Sequence, residues 1–196
     1  MKFDTRLISD LIKNRRSIYP VHYSGETVDD AIIEEMLENA NWAPTHKFTE
    51  PWRFTVFTGG GLKTLATFQA ELYKKKSMLK GAFEEKKFNM LSTKPLMASH
   101  VIAIGMKRDE EERLPESEEI SAVACAVQNM HLTATAHGVG AYWGSGGITY
   151  LEEAKAFFGL GEKDKLLGFF FVGIPKGGWP KGRRKPISKK TAWVKS

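Results

Sequence analysis

Residues 117–147 read SEEISAVACAVQNMHLTATAHGVGAYWGSGG, and this stretch decides the class of fold. Ile120, Val123, Ala124, Val127, Met130 and Ala134 recur at helical spacing on one face. Ala122, Cys125, Ala126 and Leu132 make most of the remaining circumference apolar, so Cys125 is expected to pack inside. A helix apolar on nearly every side belongs at the centre of a molecule, with other elements around it. Gly138, after His137, is the residue type that ends helices in the left-handed conformation. Val139–Trp143 then reads as a short strand. The glycines around Ser145 at its end let main-chain N–H groups approach a flat ligand closely.

Outward from this helix the pattern alternates without a regular βαβ rhythm. Leu7, Ile8, Leu11 and Ile12 predict a helix that ends near Asn14. Thr27 with Asp30 resembles a capping box that opens a second helix, with Ile32, Ile33, Met36, Leu37 and Ala40 as its buried stripe. Pro44 bars its continuation. Arg53–Thr58 reads as a strand closed by Gly59-Gly60-Gly61, and Leu62 to about Lys80 as a helix. Residues 81–95 carry no decisive period. His100–Met106 reads as a buried strand, Glu152–Phe158 as a short helix, and Leu166–Ile174 as a strand rich in Phe and Val. Five Gly and Pro residues between Gly177 and Pro186 leave an extended arm, about 177–196. The expected fold class is α+β, one domain over residues 1–196.

Composition narrows the function. The chain has 196 residues, 42% hydrophobic and 27% charged, which excludes global disorder. A lone Cys125 rules out a disulfide framework within the chain and a Cys-based zinc cage. No apolar run approaches the roughly 18 residues of a membrane span, so no membrane role is expected and a cytoplasmic setting is. The net charge is +6, with acid gathered at 109–119 and base at 74–76, 86–87 and 181–185. Each run is expected to form a solvated face.

Familiar signatures fail on inspection. Gly59–Thr64 lacks the spacer and the second glycine of a P-loop, and Gly138-Val139-Gly140 follows a helix instead of preceding one. His131 and His137 lie six apart, on different helix faces, and make a poor metal pair; no metal site is expected. Three features remain. Arg15-Arg16-Ser17 places two guanidiniums and a hydroxyl after a helix, equipment for gripping a phosphate. Ala43–Lys47 with Glu50–Phe54 is a rigid, aromatic and polar loop that feeds a strand. Tyr142–Gly147 is the glycine turn already described.

In order and spacing these resemble the nitroreductase family of FMN-dependent oxidoreductases, and in length its short branch. The resemblance adds the last strand, Asp164-Lys165 through Gly168-Phe169 to Gly173 and Pro175, and the basic Arg184-Lys185-Pro186 tail. It implies a central mixed or antiparallel sheet flanked by helices. Arg15 and Ser17 would hold the FMN phosphate and ribityl chain, Arg16 the pyrimidine edge, and Arg184 the phosphate. Trp143, Gly144 and Ser145 would lie against the ring. Trp42 and His46 would reach it from a second subunit of a homodimer with its active sites in the interface. The implied activity is ping-pong electron transfer from NADH or NADPH to a small-molecule acceptor, a nitroaromatic or quinone, with the flavin and no side chain carrying the chemistry. Phe48 and Glu50 depart from the Asn and Gln that many members carry, and Gly144 stands where the short branch can carry Arg. Two alternatives stay open: other chemistry on the same flavin fold (dehalogenation, desaturation or flavin destruction), and a nucleic-acid module built on the basic arm. Against the module, and for no nucleic-acid partner, the aromatics lie in core strands instead of within the basic run.

Overall fold

The computed structural model describes residues 2–195. Its centre is a four-stranded antiparallel sheet, β1 (Trp52–Thr58), β2 (His100–Met106), β3 (Gly140–Gly144) and β4 (Lys165–Gly173), in spatial order β1-β2-β4-β3. Every neighbouring pair is antiparallel. Side chains alternate along the two central strands, and the sheet therefore serves two cores. Ile102, Ile104, Phe170 and Val172 face α2 (Asp30–Asn41) and α5 (Glu116–Ala136). Val101, Ala103, Phe169 and Phe171 face α3 (Gly60–Leu79) and α4 (Glu85–Thr93). α1 (Thr5–Asn14) lies against α5, with no buried residue of its own. The architecture is α+β, as expected. Among the described residues no helix is long and apolar enough to cross a membrane.

Several local readings need correction. Asp29 and not Thr27 caps α2, its carboxylate accepting from the Ala31 N–H at 3.0 Å. The undecided stretch contains α4, followed by a 3-10 turn, Lys94–Met97. Glu152–Phe158 is a 3-10 helix, closed by Gly159 in the left-handed region. Cys125 is exposed, on a stripe of α5 with Ser117, Glu118, Ser121 and Gln128 that stays open among the described residues. The acidic run is not wholly solvated either. Glu119 is 1% exposed, ion-paired with Arg108 and accepting from the Asp109 N–H at 2.8 Å. A buried carboxylate persists only with such partners.

The arm begins against α1: the Trp179 indole donates to the Asn14 carbonyl at 2.5 Å. Beyond it Ile187, Trp193 and Val194 are exposed within the single chain.

The register of β2 on β4 slips between Ile104 and Gly105, opposite Gly168, whose φ is +125°. Only glycine adopts that conformation without strain, and a Cβ there would collide with the Gly144 carbonyl. Gly168→Ala is expected to cost about 2–4 kcal/mol, while Gly178→Ala, which meets nothing, changes little. Chemical denaturation of both variants checks the contrast.

Candidate functional site

The segment after α1 is stitched to the sheet by main-chain bonds. Ser17 forms a parallel bridge with Ala141, and the Ile18 N–H donates to the Ala141 carbonyl at 2.9 Å. Tyr23 secures it from below. Its hydroxyl, buried, is shared between the carbonyls of Ile18 at 2.8 Å and Phe171 at 3.1 Å, and burial pushes its pKa well above the usual phenol value. Strand alternation puts the main-chain groups of Trp143 on the same outer side as those of Ala141. Among the described residues nothing pairs with that part of the edge. An open N–H edge therefore runs past Trp143 to the turn.

The turn is fixed by its own packing. Trp143 donates its indole N–H to the Leu167 carbonyl at 3.1 Å. Gly144 leaves room for the Tyr142 ring, which a Cβ would meet at 2.9 Å. Ser145 is exposed, and the Thr149 hydroxyl donates to the Gly146 carbonyl at 2.8 Å.

On one side of this edge lies a cleft of about 540 Å³, whose lining includes Lys13, Arg15, Arg16, Gln128, Arg183 and Arg184. No carboxylate lines it. Burial, then Arg184 and Arg16, push the Arg15 pKa below its ordinary value, the mark of cations gathered without a counter-charge. The two arginines of the pair do different work. Arg16 donates to the carbonyls of Lys13 and Arg15, both at 2.7 Å, and of Pro180 at 2.9 Å. Its guanidinium lies where a side chain at Gly182 would collide with it. Arg16 is therefore the hook on which the arm hangs, and that hook brings Arg184 beside Arg15.

On the Tyr142 side stands a cation absent from the sequence reading. Lys94 Nζ lies 4.6 Å from the Tyr142 ring centroid and 4.5 Å from that of Phe171. Tyr19 packs on Tyr142 at 4.4 Å. Burial lowers the Lys94 pKa, and among the described residues no carboxylate pairs with it. Nothing in the sequence marked this lysine, because it belongs to the stretch without a period and its surroundings are assembled from β3 and β4.

Trp42 and His46 lie elsewhere. Trp42 is 78% exposed, and its indole donates to Glu38 at 2.9 Å. His46 Nδ1 sits 2.8 Å from Glu118 in a second cleft of about 570 Å³, with Thr45, Ser121 and Cys125 in its lining. The two clefts share no lining residue, so a single chain does not bring Trp42 and His46 to the arginines. Ser117, Ser121, Cys125 and Gln128 string both clefts along one exposed face of α5. The loop beside the second cleft is strained: Lys47, Phe48 and Glu50 all have φ between 41° and 54°, and Phe48 is 89% exposed.

Comparison with known proteins bears on the fold and the family. The model of the nitroreductase family matches residues 12–174. A Bacillus subtilis (strain 168) protein named "Putative NAD(P)H nitroreductase YfhC" is 32% identical over 92% of this chain and 91% of its own. A solved nitroreductase-like family protein from Bacillus cereus superposes with a TM-score of 0.80 at 27% identity, covering 100% of this chain and 99% of that one. The Mycobacterium smegmatis FMN-dependent nitroreductase NfnB, solved in complex with NADPH, shares the fold with a TM-score of 0.74 at 17% identity, over 97% and 99% of the two chains. The chain belongs to the nitroreductase family. It is an oxidoreductase of that family.

Tyr23→Phe removes the buried hydroxyl and leaves two carbonyls without its proton. It is expected to cost about 1–3 kcal/mol of stability and to loosen residues 15–18. Thermal denaturation, with limited proteolysis after Arg15 or Arg16, checks both effects.

Proposed function

We propose that this chain is an FMN-dependent NAD(P)H oxidoreductase that passes electrons to a small organic acceptor, a nitroaromatic or a quinone. The observation that carries the reading is two cationic centres, Arg15 with Arg184 and Lys94, without a carboxylate partner among the described residues, on either side of an open N–H edge. An anion at one end and a flat, electron-rich ring along the edge satisfy both. FMN has this shape and charge, and the solved FMN-dependent NfnB shares the fold.

On this reading Arg15, Ser17 and Arg184 hold the phosphate and the ribityl chain. The main-chain groups of Trp143, Gly144 and Ser145 face the ring, with Gly144 leaving room for the Tyr142 ring behind them. Arg16 contributes by holding the arm; its hydrogen bonds go to carbonyls, and Lys94 takes the part of the ring-side cation. When bound, FMN would supply the redox chemistry that links NADH or NADPH to the acceptor. No side chain need act as acid or base. Lys94 stabilises the negative charge that arrives with reduction, and the low dielectric around it strengthens that effect. A cytoplasmic setting, where NAD(P)H is at hand, suits this role.

The same reading requires a homodimer. Leu7, Ile8 and Ile12 on α1 are exposed, as are Ile187, Trp193 and Val194 on the arm. The outer edge of β1 is unpaired among the described residues, in a groove lined by Glu34 and Glu38. A second copy covers the apolar face, and its basic arm suits this acidic groove. Two-fold pairing along α5 carries Trp42 and His46 toward the partner's arginine cleft.

Turnover tests the mechanism. Donor and acceptor that use one site in turn give parallel double-reciprocal lines, whereas persistently intersecting lines overturn the shared site. Lys94→Met is expected to retain FMN and slow its reduction by about ten- to a hundred-fold; unchanged stopped-flow rates refute its assignment.

The arm is tested separately. Arg184→Ala is expected to weaken FMN binding by about ten- to a hundred-fold without unfolding the chain. Truncation after Trp179 also removes the carbonyl that Arg16 holds, so it should loosen the dimer in sizing chromatography. A dimeric truncation with full FMN affinity refutes the docked arm, and a colourless protein that shifts DNA favours the nucleic-acid reading.

A further inference from the structure

His131 sits on α5 directly beneath the arginine pair, and its hydrogen bonds define its state. Nε2 lies 2.8 Å from the Arg16 carbonyl. A carbonyl only accepts, so Nε2 carries the proton. Nδ1 faces Arg15 Nη1 at 3.4 Å. A guanidinium only donates, so Nδ1 must offer a lone pair. One ring therefore holds the main chain of Arg16 and the side chain of Arg15 at once, and it does so only when neutral. The ring is itself held still. His131 is 6% exposed and meets the fully buried Phe170 edge to face, with centroids 5.3 Å apart.

The charge around His131 is one-sided. Arg15 and Arg16 face it from the segment after α1, and Arg184 approaches Arg15 from the arm. β3 offers the Ala141 carbonyl and β4 the Phe170 ring. Among the described residues no carboxylate bonds to the imidazole. Burial, then Arg15, lower its pKa to about 4 against the pull of the Arg16 and Ala141 carbonyls. His137 and His46 are spoken for differently: His137 meets Glu35, and His46 meets Glu118.

We propose that His131 is the positioning residue of the phosphate site: it fixes where the Arg15 guanidinium points and so sets the affinity of the cleft for a phosphomonoester. The proposal rests on the reading of the arginine cleft as the seat of the FMN phosphate. It makes a demand that a merely structural histidine would not: loss of His131 should be felt by ligands that carry the phosphate and not by the same ring without it.

Titrations of the full-length protein with FMN and with riboflavin, followed by flavin fluorescence at pH 7.5, test this. His131→Leu is expected to weaken FMN about tenfold and to leave riboflavin unchanged. His131→Gln offers an amide N–H to the Arg16 carbonyl and an oxygen to Arg15, and should restore the wild-type ratio of the two affinities. In an Arg15→Ala background the His131→Leu effect should vanish, because the interaction it removes is already gone. Should His131→Leu not fold, His131→Met takes its place, with similar volume and no ring nitrogen. A second arm uses pH. As pH falls from 6.5 toward about 4, wild type should lose FMN affinity more steeply than His131→Gln, which cannot titrate. The proposal is overturned if both flavins weaken equally, if the ratio is unmoved, or if the Arg15 and His131 effects simply add. Wild-type protein that binds neither flavin overturns the cofactor reading itself. Riboflavin bound as tightly as FMN by wild type overturns the phosphate site alone.

Discussion

One hydrogen bond organises the site, from the Ile18 N–H to the Ala141 carbonyl. β3 is an edge strand, and an unpaired edge invites the wrong partner. The segment after α1 covers half of that edge and stops, so the remainder stays available at Trp143. The same bond sets Arg15 over α5, and Tyr23 locks it from the core side. Were the segment to continue as a full fifth strand, the edge would be closed. Were it absent, the arginines would have no fixed place.

The distribution of charge follows the same division of labour. Where the chain needs stability it pairs its ions: Arg108 with the buried Glu119, and Arg113 with Asp109 at 2.8 Å. Where it needs to hold an anion it withholds the partner. Among the described residues Arg15, Arg184 and Lys94 have no carboxylate partner; burial and the neighbouring arginines pull the Arg15 pKa down, and burial pulls that of Lys94 down. Such a site trades folding stability for affinity, and Arg16 spends its donors on carbonyls: two bonds fix it to Lys13 and Arg15 and one holds the arm at Pro180, neutralising no cation.

Strain is concentrated near the second cleft. Lys47, Phe48 and Glu50 hold left-handed conformations that cost each residue on the order of 1 kcal/mol. The Thr45 hydroxyl accepts from the Glu50 N–H at 3.1 Å, and Lys47 donates to the Arg113 carbonyl at 3.4 Å. These contacts keep Phe48 projecting outward, where a single chain gives its ring nothing to cover.

Elements with a period and motifs with a local cause are legible in the chain of residues alone. β2, α5 and the stripe of α2 were legible because burial imposes alternation or helical spacing directly on the residues. Arg15-Arg16-Ser17 and the glycine turn were legible because a phosphate grip and a close backbone approach each demand particular residue types in consecutive positions. Position 29 was missed as the cap of α2 because Thr27 and Asp29 are both good caps, and only the path of the chain selects between them. Glu119 reads as solvated and is buried, and Cys125 reads as buried and is exposed, for one reason: hydropathy registers what a side chain prefers, not which neighbour arrives. Tertiary structure alone decided that Arg16 faces the arm, that Lys94 lies on Tyr142 and Phe171, and that His131 underlies Arg15. Each of these joins residues far apart in the chain, and no local energy term records such a pairing before the sheet has brought them together.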